Sequence, residues 1–456
     1  MRFVMGARMQ SSKRLSGMPG FTVVWLGQIV SVLASLMTQF ALTIWAFEKT
    51  GSATALGLIQ VFFVTPFLLI SPLAGVLVDR HNRKLMMMVS DLGAGLATVG
   101  ILVLQAFGVM EIWHLYLAAV INGLGNTFQW PAYSASISTM LPKEQYGRAN
   151  GMMSLVEAGP GVIAPLIAGA LLPVIGLTGI LFIDIATFLL AIGTLLIVYI
   201  PQPPRTEEGG QKQGALWEQA VFGFRYIFAR PGLVGLLTIF LLGNLFSGIQ
   251  LTLLAPMILS RTGNNEVIFG SVQSAGAIGG VIGGVLMSLW GGFKRRIHGV
   301  LIGWILSSLA LVLLGIGRDL SVWIPAMLIG TLFFPLINSS SQAIWQAKVA
   351  PDLQGRVFTS RRLIAWLTQP VTPLIAGLLA DYVMEPAMQA PGWLSQTFGS
   401  VVGTGPGAGM GLLTVFCCLM CALVGLSGYY IPVIRSLEDT LPDHDQSQKV
   451  EVVPAD

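Results

Sequence analysis

Gly75-Val-Leu-Val-Asp79-Arg80-His81-Asn82-Arg83-Lys84 packs one carboxylate and three cations into its last six positions, between two apolar runs of membrane-spanning length. Short and highly charged, the stretch reads as a tight turn between two membrane helices, on the face where lysine and arginine collect. Outward from it the chain keeps the same character. Of its 456 residues 54% are hydrophobic and only 10% charged, whereas a soluble chain carries about a quarter charged residues. Mean hydropathy is +0.76. An integral membrane protein of all-α class is expected.

Crossing the hydrocarbon takes about 20 apolar residues per helix. Cutting the sequence at polar and Pro/Gly-rich breaks gives twelve such segments, at 21–47, 54–78, 85–108, 112–138, 148–172, 175–200, 232–259, 267–291, 297–317, 321–346, 357–384 and 408–434. The first follows a basic start (Arg2, Arg8, Lys13, Arg14) and is too long for a signal-peptide core, so it reads as a retained span. With the N-terminus inside, every lysine and arginine except Lys49, Arg261 and Arg318 lies on the inner side. An odd number of spans would scatter them, so the bias favours twelve spans with both termini cytoplasmic.

The halves repeat each other. Gly27-Gln-Ile-Val-Ser31 returns as Gly243-Asn-Leu-Phe-Ser247, Gly75-Val-Leu as Gly284-Val-Leu before Lys294, Arg295 and Arg296, and Pro165-Leu-Ile-Ala-Gly169 unchanged as Pro373-Leu-Ile-Ala-Gly377. A duplicated unit of six spans is expected. The resulting plan is an N-tail at 1–20, a bundle at 21–200, a cytoplasmic linker at 201–231, a second bundle at 232–434 and a C-tail at 435–456. Within the linker, Leu216 to Arg230 has the composition of an amphipathic helix lying on the inner leaflet. The tail from Glu438 onward reads as polar, acidic and solvated.

Written as Gly-x-Leu-x-Asp-Arg-x-x-Arg-Lys, the opening stretch resembles the signature loop between helices 2 and 3 of the major facilitator superfamily. Three further segments are similar to one bacterial branch of it, that of macrolide-efflux-like permeases and siderophore exporters: Gly147-Arg148-Ala-Asn150, Asp184 within Phe182-Ile-Asp-Ile-Ala-Thr-Phe188, and Gly223-Phe-Arg-Tyr-Ile227 with Arg230-Pro231. The resemblance runs from about residue 20 to 435. It implies two pseudo-symmetric six-helix bundles, alternating access, and proton-coupled efflux from the bacterial cytoplasmic (inner) membrane, with the proton gradient in place of a cofactor. Two departures stand out. Ala119 replaces the family's helix-4 arginine, and Ile163-Ala164 replaces a glycine pair of the antiporter motif that Gly159-Pro160-Gly161 otherwise matches. Uptake or lysophospholipid flipping by the same fold, and a non-transporting receptor or enzyme, are the alternative readings.

Candidate site residues follow from cost. Ionisable groups inside spans are expensive and mark function. Glu157 and Asp184 have no cation deep enough to pair with, which makes them proton-coupling candidates, and Gly159-Pro160 beside Glu157 is a place for the helix to bend. Gly75, Asp79, Arg80, Arg83 and Lys84, with Asp91 just beyond, form an expected inner-face gating network. In this fold helices 1, 4, 7 and 10 face the central cavity. Here they hold Gln28, Gln39, Asn122, Asn126, Gln129, Trp130, Asn244, Asn338, Gln342 and Trp345. Amides and aromatics without a fixed cation suit an amphipathic or hydrophobic substrate that is neutral or cationic.

Other features carry less chemistry. Gly276, Gly279, Gly280, Gly283 and Gly284 have spacings for close helix contact. Cys417, Cys418 and Cys421 share one apolar run and read as packing residues. No Gly-rich loop ending in Gly-Lys-Ser/Thr occurs, the histidines are scattered, and no nucleophile has a base and an orienter. No metal, cofactor or nucleic-acid partner is expected, only a small-molecule substrate and membrane lipid around a monomer.

Overall fold

The computed structural model describes residues 15–80, 82–142, 145–201, 216–349 and 351–441. Helix α1 (Gly17–Thr50) stops at Gly51, whose φ of 60° and ψ of 15° lie in the left-handed region that glycine enters without a Cβ penalty. Within the signature stretch α2 (Ala53–Arg80) ends and α3 (Arg83–Ala106) begins. Asn82 caps it, its side-chain oxygen accepting from the Leu85 N–H at 3.2 Å. Next come α4 (Ile112–Met140) and the 52-residue α5 (Tyr146–Ile197), which breaks at Gly176 with φ 65° and ψ 177°.

The second half opens with α6 (Leu216–Phe228), the linker helix, and α7 (Pro231–Thr262). Then follow α8 (Glu266–Trp290), α9 (Arg296–Ile316), and α10 (Leu320–Leu332) with α11 (Phe334–Lys348), one span interrupted at Phe333. The eleventh span is composite: α12 (Pro351–Trp366), α13 (Val371–Leu379), a π-helical turn at Ala380–Met384 and α14 (Glu385–Gln389). A loop helix α15 (Trp393–Val402) leads to α16 (Ala408–Tyr430), and the short α17 (Pro432–Arg435) and α18 (Leu437–Thr440) end the described chain. Ten described stretches are long and apolar enough to cross a membrane; Gly176 divides one of them, Gly159–Ile197, and α4 adds another helix of 29 residues. Twelve spans result, in an all-α membrane fold.

The chain separates into two compact units, Met1–Arg205 with Asn264–Ser274, and Thr206–Gly263 with Ala275–Asp456. In the first, α1 lies along α5, and α4 packs on α2 and α3. Backbones approach closely there. A Cβ built on Gly123 would stand 2.1 Å from the Phe63 carbonyl oxygen. In the second unit the glycines of α8 split by face: a Cβ on Gly279 or Gly283 would meet the Leu328 or Leu332 carbonyl at 2.2 or 2.0 Å, whereas Gly280 and Gly284 have open space around them. Close approach through small residues replaces the hydrophobic drive that lipid cannot supply.

Protein contacts add to two expectations. The linker helix docks on protein: Ile227 is fully buried among Leu233, Leu236, Ile344 and Val357, the Tyr226 hydroxyl donates to the Lys348 carbonyl at 3.3 Å, and the Arg230 guanidinium stacks 3.5 Å over the Tyr226 ring. The start of the expected solvated tail is also held. Glu438 accepts from the Ile297 N–H at 3.0 Å, Asp439 pairs with Arg295 at 3.0 Å, and the Lys348 ammonium donates to the Glu438 carbonyl at 2.9 Å and to that of Leu441. The reason is apolar. Leu437 and Ile434, interleaved with those polar residues, are buried in the same core as Ile227.

At the opposite end of this unit, Arg261 donates to the carbonyls of Gly315, Gly317 and Val402, satisfying the end of α9. Glu385 accepts from the N–H groups of Gly407 and Met410, where α16 begins.

Candidate functional site

Three helices of the N-terminal unit meet at Asp91. The Gln28 amide on α1 donates to one carboxylate oxygen at 3.1 Å, and the Gln129 amide on α4 donates to the other at 2.8 Å and to Gln28 Oε1 at 3.0 Å. Gln28 is 4% exposed, and Gln129 Oε1 is buried without a partner. Asp91 was expected among the gating charges. Its carboxylate, two turns inside α3, is held by Gln28 and Gln129, two of the expected cavity residues.

A second acid layer lies deeper, where α1 and α3 meet α5. Asp184 on α5 is 4% exposed and accepts from Ser35 on α1 and Thr98 on α3, each at 3.0 Å. Ser35 is seven residues beyond Gln28 and Thr98 seven beyond Asp91, so each pair shares one helix face and the two layers are about 10 Å apart. Sequence reading missed Thr98. The spacing from Asp91 was the clue available. Among the described residues no cation enters either layer, and the ion pair Arg295–Asp439 belongs to the other unit.

Around the signature turn, the Lys84 ammonium donates to the carbonyls of Val198 and Leu196 at 2.8 and 3.3 Å, capping the end of α5, and Arg83 is buried. Gly75, Asp79, Arg80 and Glu157 are described only as helical backbone, so the expectations for their side chains and surroundings lie outside the described part of the structure. Gly159 and Pro160 sit within α5 in helical conformation; Gly176 is where its backbone departs. Gln39, Asn126 and Trp130 are exposed on α1 and α4, and Asn122 is half-buried.

In the C-terminal unit the expected cavity residues separate. Asn338 is exposed on α11 and Asn244 half-buried on α7. Trp345 is 1% exposed and belongs to the apolar core, so as a cavity residue it is withdrawn. Gln342 accepts at 2.9 Å from Arg361, whose guanidinium also reaches Ser341 at 3.2 Å and lies 5.2 Å from the Trp345 ring. A fixed cation therefore does stand beside these residues. In the sequence Arg361 reads only as one more inner-face charge. Gln250, buried on α7, lines a small void with Ser247, Trp304, Ser308 and Cys421, and the Trp304 Nε1 there has no partner. All three cysteines are free and buried, and among the described residues no group of acids, histidines and cysteines could hold a metal.

Twelve membrane helices in two compact units, with acids held between helices by amides and hydroxyls, describe a polytopic membrane protein of transporter architecture. The chain belongs to the Major Facilitator Superfamily, whose family model matches residues 24–373. It is similar to macrolide efflux protein A of Streptococcus pyogenes, 27% identical over 80% of this chain and 90% of that protein. It is also similar to the multidrug efflux pump Tap of Mycolicibacterium fortuitum, 24% identical over 78% and 90%. Among solved structures, an inward-facing bacterial homolog of the human lysosomal transporter Spinster shares the fold at a TM-score of 0.66 and 17% identity, covering 90% of this chain and 97% of that one.

Proposed function

We propose that this transporter exports an amphipathic small molecule across the bacterial cytoplasmic membrane by alternating access, in exchange for protons, with both termini in the cytoplasm. The bundles are 21–200 and 232–434, joined by the cytoplasmic linker 201–231. Similarity to exporters of macrolides and of several drugs supports the direction.

The observation that carries proton exchange is the Gln28–Asp91–Gln129 cluster. As a carboxylate, Asp91 accepts from both amides and draws α1 and α4 together across α3. Protonation removes the charge that strengthens those bonds and loosens the three-helix contact. Helices 1 and 4 border the cavity in this family, so occupancy of the cavity and protonation of Asp91 act on the same two helices. That shared dependence is what exchange requires. Asp184 serves as a structural tie between α1, α3 and α5, and Glu157 remains the second coupling candidate.

The test is efflux of a fluorescent substrate from cells, with and without a protonophore, for wild type, Asp91→Asn and Glu157→Gln. Protonophore-sensitive efflux lost in Asp91→Asn is the expected result. Loss in Glu157→Gln alone moves coupling to that residue, and wild-type efflux indifferent to the protonophore refutes proton exchange.

A further inference from the structure

We infer that Arg361 is an oxyanion-binding residue that receives an anionic group, a carboxylate above all, of the transported molecule. The inference rests on the transport reading and narrows its substrate class. Arg361 is the second residue of the apolar stretch Ser360–Gln389, about 15 Å along the helix from Pro351. Its anchors are all neutral: Nη1 donates to Gln342 Oε1 at 2.9 Å, Nη2 to Ser341 Oγ at 3.2 Å, and the guanidinium carbon lies 5.2 Å from the centroid of Trp345. No carboxylate among the described residues pairs with it.

A guanidinium offers five N–H donors, and two are in use. Ser341 and Trp345 are 0% and 1% exposed, whereas Gln342 and Arg361 are half-buried. The anchors thus make a buried floor that fixes the fork without neutralising it, while the arginine itself stays half-buried with three donors unused. A cation left without a counter-ion inside a span is costly, and such residues mark substrate or ion paths. A planar fork with free donors matches a carboxylate or phosphate. Neighbouring Arg362 is used differently: it is exposed and stacks 4.5 Å over Trp366, as an interfacial anchor does. The same oxyanion chemistry has a second source, the phosphate of an anionic lipid headgroup.

Binding, measured apart from transport, separates this site from the efflux reading. The probes are rhodamine 110, which has a free carboxylate, and rhodamine 123, its methyl ester, titrated against purified wild type, Arg361→Gln and Arg361→Lys. The expected result is affinity for the acid about tenfold or more weaker in Arg361→Gln, partial recovery in Arg361→Lys, and ester affinity unchanged within about twofold. A parallel arm compares thermal stability in phosphatidylglycerol and phosphatidylcholine. If Arg361→Gln abolishes stabilisation by phosphatidylglycerol and leaves dye binding intact, the oxyanion is that of a lipid. Equal weakening for acid and ester, or no change in either arm, overturns the proposal and leaves Arg361 as a pin between α11 and α12.

Discussion

Neighbouring glycines on α8 should respond to the same substitution with opposite sign. A Cβ on Gly283 would lie 2.0 Å from the Leu332 carbonyl oxygen and 2.8 Å from its carbon, and real Cβ contacts essentially never fall below 3.0 Å. The opposing atoms belong to backbone, so α8 and α10 must part by about 1 Å. Overpacking of this kind costs about 1–3 kcal/mol. Against it stands the gain of about 1 kcal/mol from replacing glycine by alanine inside a helix. A Cβ on Gly284 would meet nothing within 4 Å, so Gly284→Ala collects that gain without the clash. The two variants should therefore differ by about 1–3 kcal/mol. At about 2–4 °C per kcal/mol for units of this size, thermal unfolding of the purified protein resolves the gap. Equal melting temperatures would refute the close packing of α8 on α10.

Asp184 offers a second test. Hydrogen bonds to charged groups contribute about 1.5–3 kcal/mol in soluble proteins, while membrane double-mutant cycles average about 0.6 with a maximum near 1.7. Since Asp184 is 4% exposed and held by two hydroxyls, the Thr98→Val/Asp184→Asn cycle should give a coupling near the upper membrane value, read by thermal unfolding; independent effects would contradict the tie. At the C-terminus, Leu437→Ala should cost about 2–5 kcal/mol because Leu437 is fully buried. Asp439→Asn should cost under about 1 kcal/mol, its ion pair being more than half exposed. A reversal of that order would show that charge, not apolar burial, holds the segment.

The fold was legible because membrane spans announce themselves by length and hydropathy, and because lysine and arginine placement constrains their parity. The cut between 148–172 and 175–200 falls beside Gly176, whose φ of 65° ends one span and starts the next; only the exact residue escapes the sequence, since no apolar pattern distinguishes it from the helical Gly169 or Gly179. In the site, the residue types were found and their grouping was not. Gln28, Asp91 and Gln129 were each singled out, but Asp91 was assigned to the charged turn because proximity along the chain is visible in a sequence and the meeting of α1, α3 and α4 is not. Arg361 was hidden by its usefulness as an orientation marker. Its contacts with Ser341, Gln342 and Trp345 depend on how two helices pair, which periodicity alone does not specify.

Proton exchange through Asp91 is tested most directly in proteoliposomes with a transported fluorescent substrate and an imposed pH difference of one unit. A one-for-one exchange supplies about 1.4 kcal/mol, enough for about a tenfold substrate gradient. Wild type is predicted to accumulate substrate against its gradient, and Asp91→Asn to equilibrate substrate down a gradient without accumulating it. Accumulation by Asp91→Asn equal to that of wild type would contradict the account.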